Sequence, residues 1–198
     1  MKTIGIILVV VIGIGALFGI TIWGTYSGII SKDEGVVEAW GNVESTYQRR
    51  ADLILGLVKM VKAYAKHERE TFQAVTEARA SIGKIQISEK MLTDPAMIAK
   101  FQAVQGELSS ALSRLMAVAE AYPDLKANEG YLKLQDQLEG TENRINVARQ
   151  RYNGAVKRFN ISIRNPLGRL VNNWFLNLEK KVPFKAKDGA DVAPEIDI

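Results

Sequence analysis

Few residues in this sequence could do chemistry. His67 is the only histidine, and Glu68 follows it. His-Glu opens the zinc pattern HExxH, in which a second histidine one helical turn on completes the ligand face and the glutamate serves as base. Thr71 stands at that place. His67 therefore reads as a surface or interhelix histidine rather than a metal ligand or general base. The chain has no cysteine, which removes disulfides, thiolate nucleophiles and cysteine-based zinc or iron–sulfur sites. It leaves the redox compartment open. No G-x-S-x-G, Walker loop or dinucleotide fingerprint occurs. Adjacent carboxylates such as Asp33 and Glu34 point in different helical directions and suit a helix N-terminus. The expectation is no catalytic residue, no metal ligand, no cofactor and no enzymatic activity.

The densest polar motif is Glu142-Asn143-Arg144, followed by Arg149, Arg151, Tyr152 and Asn153. Gln48, Arg49, Arg50 and Asp52 form a comparable group earlier in the chain. Arg50 interrupts an apolar stripe, and Glu142 lies beside Thr141 on another. The expectation is that Arg50 or Arg49 pairs with Glu142. The candidate structural or interaction cluster is Arg49, Arg50, Glu142, Asn143, Arg144 and Tyr152. An ion pair that fixes helix register is the favoured reading. A ligand or partner site is the other.

These residues need elements to hold them, and the apolar spacing supplies helices. Val36, Trp40, Val43, Tyr47, Ile54, Leu57, Val61 and Tyr64 follow steps of three and four. Phe72, Val75 and Ile82 continue a similar face. One long helix from about Asp33 to the high eighties is the simplest reading, with a break near His67 as the alternative. Thr93-Asp94-Pro95 is a helix start. Ile98, Phe101, Val104, Leu108, Leu112, Leu115, Ala119 and Tyr122 form the next stripe, ended by Tyr122-Pro123-Asp124. Tyr131, Leu134, Leu138, Ile145, Ala148, Tyr152, Ala155 and Phe159 make another, ended by Asn165-Pro166. A short amphipathic helix is expected over Leu167 to Leu178, with Leu170, Val171, Trp174, Phe175 and Leu178 on its apolar side. No period-two alternation suggests a strand. Such stripes with short joints imply an all-α, antiparallel bundle, coiled-coil-like in its packing.

Ahead of the bundle, Thr3 through Ser31 contains no charged residue. A helix rises about 1.5 Å per residue, so some 20 residues cross a ~30 Å hydrocarbon layer. Trp23 and Tyr26 lie where an interfacial aromatic belt would sit. The run is too long for a signal-peptide core, and no A-x-A site follows it. Gly15 with Gly19, and Gly24 with Gly28, form GxxxG patterns, which would allow self-association in lipid.

From Arg144 to Lys187 basic residues outnumber acidic ones, with Arg149, Arg151, Lys157, Arg158, Arg164 and Arg169 as main contributors. A solvated face is the common reading, and contact with anionic headgroups or an acidic partner is the sharper one. A net charge of +4 without a recognition motif gives no reason to expect nucleic acid.

Four stretches carry a family resemblance: EGVVEAWGNVESTYQRRADLILGLVKMVKAYAKHE (Glu34–Glu68), VTEARA (Val75–Ala80), LSSALSRLMAVAEAYPDLKAN (Leu108–Asn128) and LEGTENRINVARQRYNGAVKRFN (Leu138–Asn160). In these the chain resembles the LemA family of bacterial membrane proteins. One departure is Leu55-Gly56 after Asp52-Leu53-Ile54, where the family usually has Pro-Asn. The resemblance implies a membrane-anchored helical bundle and does not imply a reaction. It also implies an external N-terminus with an internal domain, whereas Lys2 with the free amine against Lys32 favours the opposite by about one charge. The side stays open.

The expected organisation is a transmembrane anchor over 1–31, a helical bundle over 32–182 and an irregular tail over 183–198. The expected role is a non-catalytic scaffold or interaction module, single-pass in the cell membrane. The alternative is an anionic-lipid-contacting protein that senses or shapes the bilayer. Expected partners are the lipid bilayer, an unidentified membrane or membrane-proximal protein and a second copy of the chain.

Overall fold

The computed structural model describes residues 2–85 and 89–185. Among these residues there is no strand. Six α-helices follow one another: α1 Lys2–Tyr64, α2 Arg69–Gly83, α3 Pro95–Glu120, α4 Pro123–Lys126, α5 Glu129–Arg164 and α6 Pro166–Val171. A 3-10 turn at Glu89–Thr93 precedes α3, and a π-helical turn at Asn172–Leu176 follows α6. The all-α class expected from the stripes is the class found.

The apolar segment and the first domain helix are one helix. From Ile4 to Ile20, and at Trp23, the large apolar side chains are exposed, and the same helix then buries Ile29, Val36, Trp40, Val43 and Tyr47. Proline does not occur before Pro95, so nothing in the sequence interrupts the backbone ladder at the transition. α1 ends at Tyr64, resolving the two readings of the first stripe in favour of a break at Ala65–Glu68. Neither Pro nor Gly marks this turn. Burial drives it: Ala65 is 1% exposed, and Phe72 and Val75 of α2 join Ile54, Leu57 and Val61 of α1 in one apolar cluster.

The chain divides into two compact units. The first comprises Met1–Arg50 and Glu139–Lys181. Within it α1 and α5 run antiparallel. Ten residues back along α1, from Arg50 to Trp40, match ten residues on along α5, from Glu142 to Tyr152. The seam contains Val36, Val43, Ile145, Ala148, Ala155 and Phe159, all buried. Each large apolar side chain sealed this way contributes about 1.5–3 kcal/mol.

The end of α5 is built by asparagines. Asn165 Oδ1 accepts from the Gly168 amide at 2.6 Å and Pro166 opens α6. A Cβ on Gly168 would lie 1.8 Å from the Ser162 carbonyl oxygen, so only glycine fits this approach. The buried Asn172 side chain donates to the Leu178 carbonyl and accepts from the Leu178 amide, both at 3.0 Å. Asn160 clamps Lys181 in the same two-sided way, at 2.8 and 3.0 Å. Asn177 takes the left-handed conformation, φ 53°, which asparagine tolerates. Lys181 is buried, with Nζ 2.9 Å from Asp33 Oδ1 and 5.6 Å from the Phe159 ring centre.

This arrangement corrects the amphipathic helix expected over 167–178. Val171 is buried as expected, but Trp174 is 69% and Phe175 57% exposed. The wider π turn rotates the register, and Asn172 takes the inward position because its amide satisfies both polar groups of Leu178.

The second unit comprises Ala51–Leu138 and Val182–Ile198. Its core joins α1, α2, α3, α4 and the first turns of α5 through Ile54, Leu57, Val61, Val75, Leu108, Leu115, Leu125 and Tyr131. Asp94 Oδ1 caps α3, accepting from the amides of Ala96 and Met97. The buried face of α3 runs through Ile98, Phe101, Gln105, Leu108, Ala111, Leu115 and Ala119. Val104, Leu112 and Tyr122, expected on that face, are half-buried. Small residues on both helices shift the seam: Ala74 and Ala78 of α2 share a groove with Ala111 of α3. Segments of α1 and α5 in this unit are antiparallel too, with Tyr64 bonded to Asn128 and Gly56 against Leu134.

The tail was expected to be irregular from 183. Residues 182–185 form no helix but are docked. The Val182 amide donates to the Leu92 carbonyl at 2.7 Å, Gln102 bonds the Lys185 carbonyl, and the Phe184 ring lies 6.3 Å from Phe101. Residues 186–198 lie outside the described residues.

Candidate functional site

The polar motifs on α1 and α5 meet within the first unit. Arg50 Nη1 lies 2.9 Å from Glu142 Oε1. The Arg50 side chain is 3% exposed and that of Glu142 is 44% exposed. Of the two arginines proposed for this contact, Arg50 makes it, and Arg49 faces solvent. The helical step explains the choice: Arg50 follows Val43 and Tyr47 on the buried row, while Arg49 is turned off it.

An aromatic layer surrounds the pair. The Arg50 guanidinium stands 5.0 Å over the Tyr47 ring. Tyr152, fully buried, makes an edge-on contact with Trp40 at 5.4 Å and 65°. Burial raises the Tyr47 phenol above its ordinary value, opposed by the positive charges of Arg149 and Arg50. Burial also pushes the Tyr152 phenol up. Both phenols are therefore neutral at physiological pH. Asn143 and Arg144 are exposed on α5 and are not drawn into this layer. The proposed cluster thus splits into a buried part (Arg50, Tyr152, with Glu142 at its edge) and an exposed part (Arg49, Asn143, Arg144).

Tyr47 and Trp40 belong to the buried part as well, and half-buried Arg149 lies beside Tyr47. Their signal was in the spacing: Tyr47 precedes Arg50 by three residues and Arg149 precedes Tyr152 by three, the distance that places side chains on one helix face. A guanidinium paired with a carboxylate beside protonated phenols presents no activated nucleophile. The pair joins the buried face of α1 to the edge of α5 within the first unit. His67 is exposed in the turn between α1 and α2. No group of three or more metal-ligating side chains is found among the described residues.

The sequence model of the LemA family matches residues 39–198, spanning both polar motifs and both units. The chain belongs to the LemA family. Among curated relatives, the LemA protein of Metamycoplasma hominis is 22% identical over 157 residues, covering 79% of this chain and 67% of its own. A magnetosome protein MamQ of Paramagnetospirillum magneticum is 29% identical over 154 residues, covering 70% of this chain and 57% of its own. The MamQ of Magnetospirillum gryphiswaldense is 26% identical over the same length. The chain thus spans little more than half the length of the MamQ proteins it matches. None of these relatives bears the name of an enzyme. Among the described residues of this LemA-family chain one helix is long and apolar enough to cross a membrane, near the N-terminus, and a membrane location fits both that helix and these relatives.

Proposed function

We propose that the protein is a single-pass, membrane-tethered helical scaffold with no catalytic activity of its own. The observation that carries this reading is the continuity of α1. No residue of its most apolar stretch is fully buried in the protein, and the same unbroken helix enters the core of the first unit at Ile29. A rod of this kind fixes a helical surface at a set height above the bilayer, which a flexible linker would not do. The surface on offer includes Arg49, Asn143 and Arg144, exposed polar residues beside a rigid ion pair. They suit recognition of a protein partner better than a reaction, since charged rim residues steer and select partners.

The test is photocrosslinking from Asn143 or Arg144 of the full chain in its native membrane. The scaffold reading expects one recurrent protein adduct, lost in Arg144→Glu while the helical signal is unchanged. Adducts that are scattered and insensitive to Arg144→Glu count against it. The basic residues after Arg144 support a second reading, contact with anionic lipid. That reading expects salt-sensitive binding to anionic vesicles by the fragment from Asp33 onward.

A further inference from the structure

The aromatic pair at the π turn stands out because two large apolar side chains are exposed next to each other, and contiguous exposed apolar surface marks interaction sites. Trp174 and Phe175 are exposed although Asn172, two residues away, is buried. The turn is also rigidly built. Asn172 and Asn160 lock the backbone at Leu178 and Lys181 from both sides, and Lys181 is pinned to Asp33. A turn fixed by so many bonds presents its aromatics by construction.

Phe175 lines an apolar cleft of about 220 Å³ whose other walls are Gly19, Ile22, Trp23 and Tyr26 of α1. Those four residues lie in the C-terminal half of the apolar segment. From Ile4 to Trp23 the helix rises about 28 Å, close to the ~30 Å hydrocarbon thickness. Trp23 and Tyr26, stacked at 6.1 Å, then stand at headgroup level. Lys32 reaches back to the Gly28 carbonyl at 3.2 Å, as a lysine at a helix exit does when its stem lies in the interface. Whatever medium surrounds α1 at this depth also surrounds Phe175. Exposed Arg164, Arg169 and Lys180 flank the turn in sequence, and cations there favour anionic headgroups.

We infer that the Trp174–Phe175 turn is a second membrane contact, seated in the interfacial layer of the bilayer that α1 crosses, beside Trp23 and Tyr26. The inference rests on α1 spanning that bilayer. It goes further in fixing the orientation of the first unit: two points of attachment stop it from swivelling about α1.

The cysteine-free chain permits a direct test. Full-length Phe175→Cys, labelled with an environment-sensitive fluorophore, is reconstituted into phosphatidylcholine–phosphatidylglycerol vesicles. Ile14→Cys and Asn143→Cys serve as depth references, and Trp174→Cys as a second reporter of the turn. The expected result is severalfold stronger quenching at 175 than at 143 by lipids with a nitroxide just below the headgroup, and severalfold weaker quenching by iodide. Iodide quenching at 175 equal to that at 143 overturns the inference. So does shielding from iodide without lipid quenching that disappears when the protein is diluted with lipid, which assigns the patch to a second copy of the chain. Ile14 quenched by deep nitroxide lipid while 175 is not sinks this inference alone. Ile14 left unquenched sinks the tether and the inference together.

Discussion

Lys181 Nζ lies 2.9 Å from Asp33 Oδ1, joining the last residue of the first unit to the part of α1 that follows the apolar segment. The lysine is buried, and Asn160 holds its backbone on both sides. A buried ammonium needs its counter-charge, so this contact holds the returning chain against the foot of the bundle.

Asp33→Asn is therefore expected to loosen that segment. Hydrogen exchange at the Lys181 amide, bonded to Asn160 Oδ1 in the folded chain, should accelerate at least tenfold, equivalent to about 1.4 kcal/mol. Unchanged protection at Lys181 would show that the two asparagine clamps hold the segment unaided.

The Arg50–Glu142 pair predicts an asymmetry. Glu142→Ala leaves a nearly inaccessible guanidinium without its carboxylate and should cost about 1–3 kcal/mol. Arg50→Met removes the buried charge, keeps an apolar stem and leaves a half-exposed carboxylate that water can solvate. It should cost less than Glu142→Ala in denaturant unfolding. The reverse order would mean that the cation–aromatic contact with Tyr47 outweighs the ion pair.

Two glycines should respond oppositely to alanine. At Gly168 the new methyl would meet the Ser162 carbonyl at 1.8 Å, and Gly168→Ala should lose about 3 kcal/mol or more. At Gly140 nothing lies within 4 Å. Gly140→Ala, inside α5, should gain up to about 1 kcal/mol. Thermal melts of the two variants check both signs.

Alkaline stability should follow the buried phenols. Tyr47 and Tyr152 hold their protons more tightly in the folded chain because burial disfavours the phenolate. Stability is then full below the unfolded tyrosine value of about 10 and falls as pH rises through the raised folded values. Tyr152→Phe should unfold at a midpoint that varies less between about pH 9 and 12 than that of the parent chain. Parallel curves for the two would show that Tyr152 does not contribute to the alkaline loss.

Much of this was readable in the sequence because helices announce themselves by period. The stripes on α1 and α5, the Asp94-Pro95 start and the stops at Pro123 and Pro166 depend on local spacing and chain geometry. The Arg50–Glu142 pair was legible for a related reason: a charge on an apolar row demands an opposite charge on the facing one. The turn at Ala65 was less so, because no residue there forbids a helix and burial alone decides it. The segment after Pro166 was misjudged because its outcome depends on asparagine side chains bonding backbone six and twenty-one residues away. Helical periodicity contains no trace of such bonds. It places Trp174 and Phe175 inward, where the structure has Asn172.

The proposed tether requires that α1 remain attached and hold the protein at a membrane. Alkaline carbonate extraction of native membranes, followed by mass determination of the protein, tests it most directly. A tethered chain is expected in the membrane pellet with residues 3–31 intact. Recovery in the supernatant of a shortened chain beginning near Lys32 would contradict it.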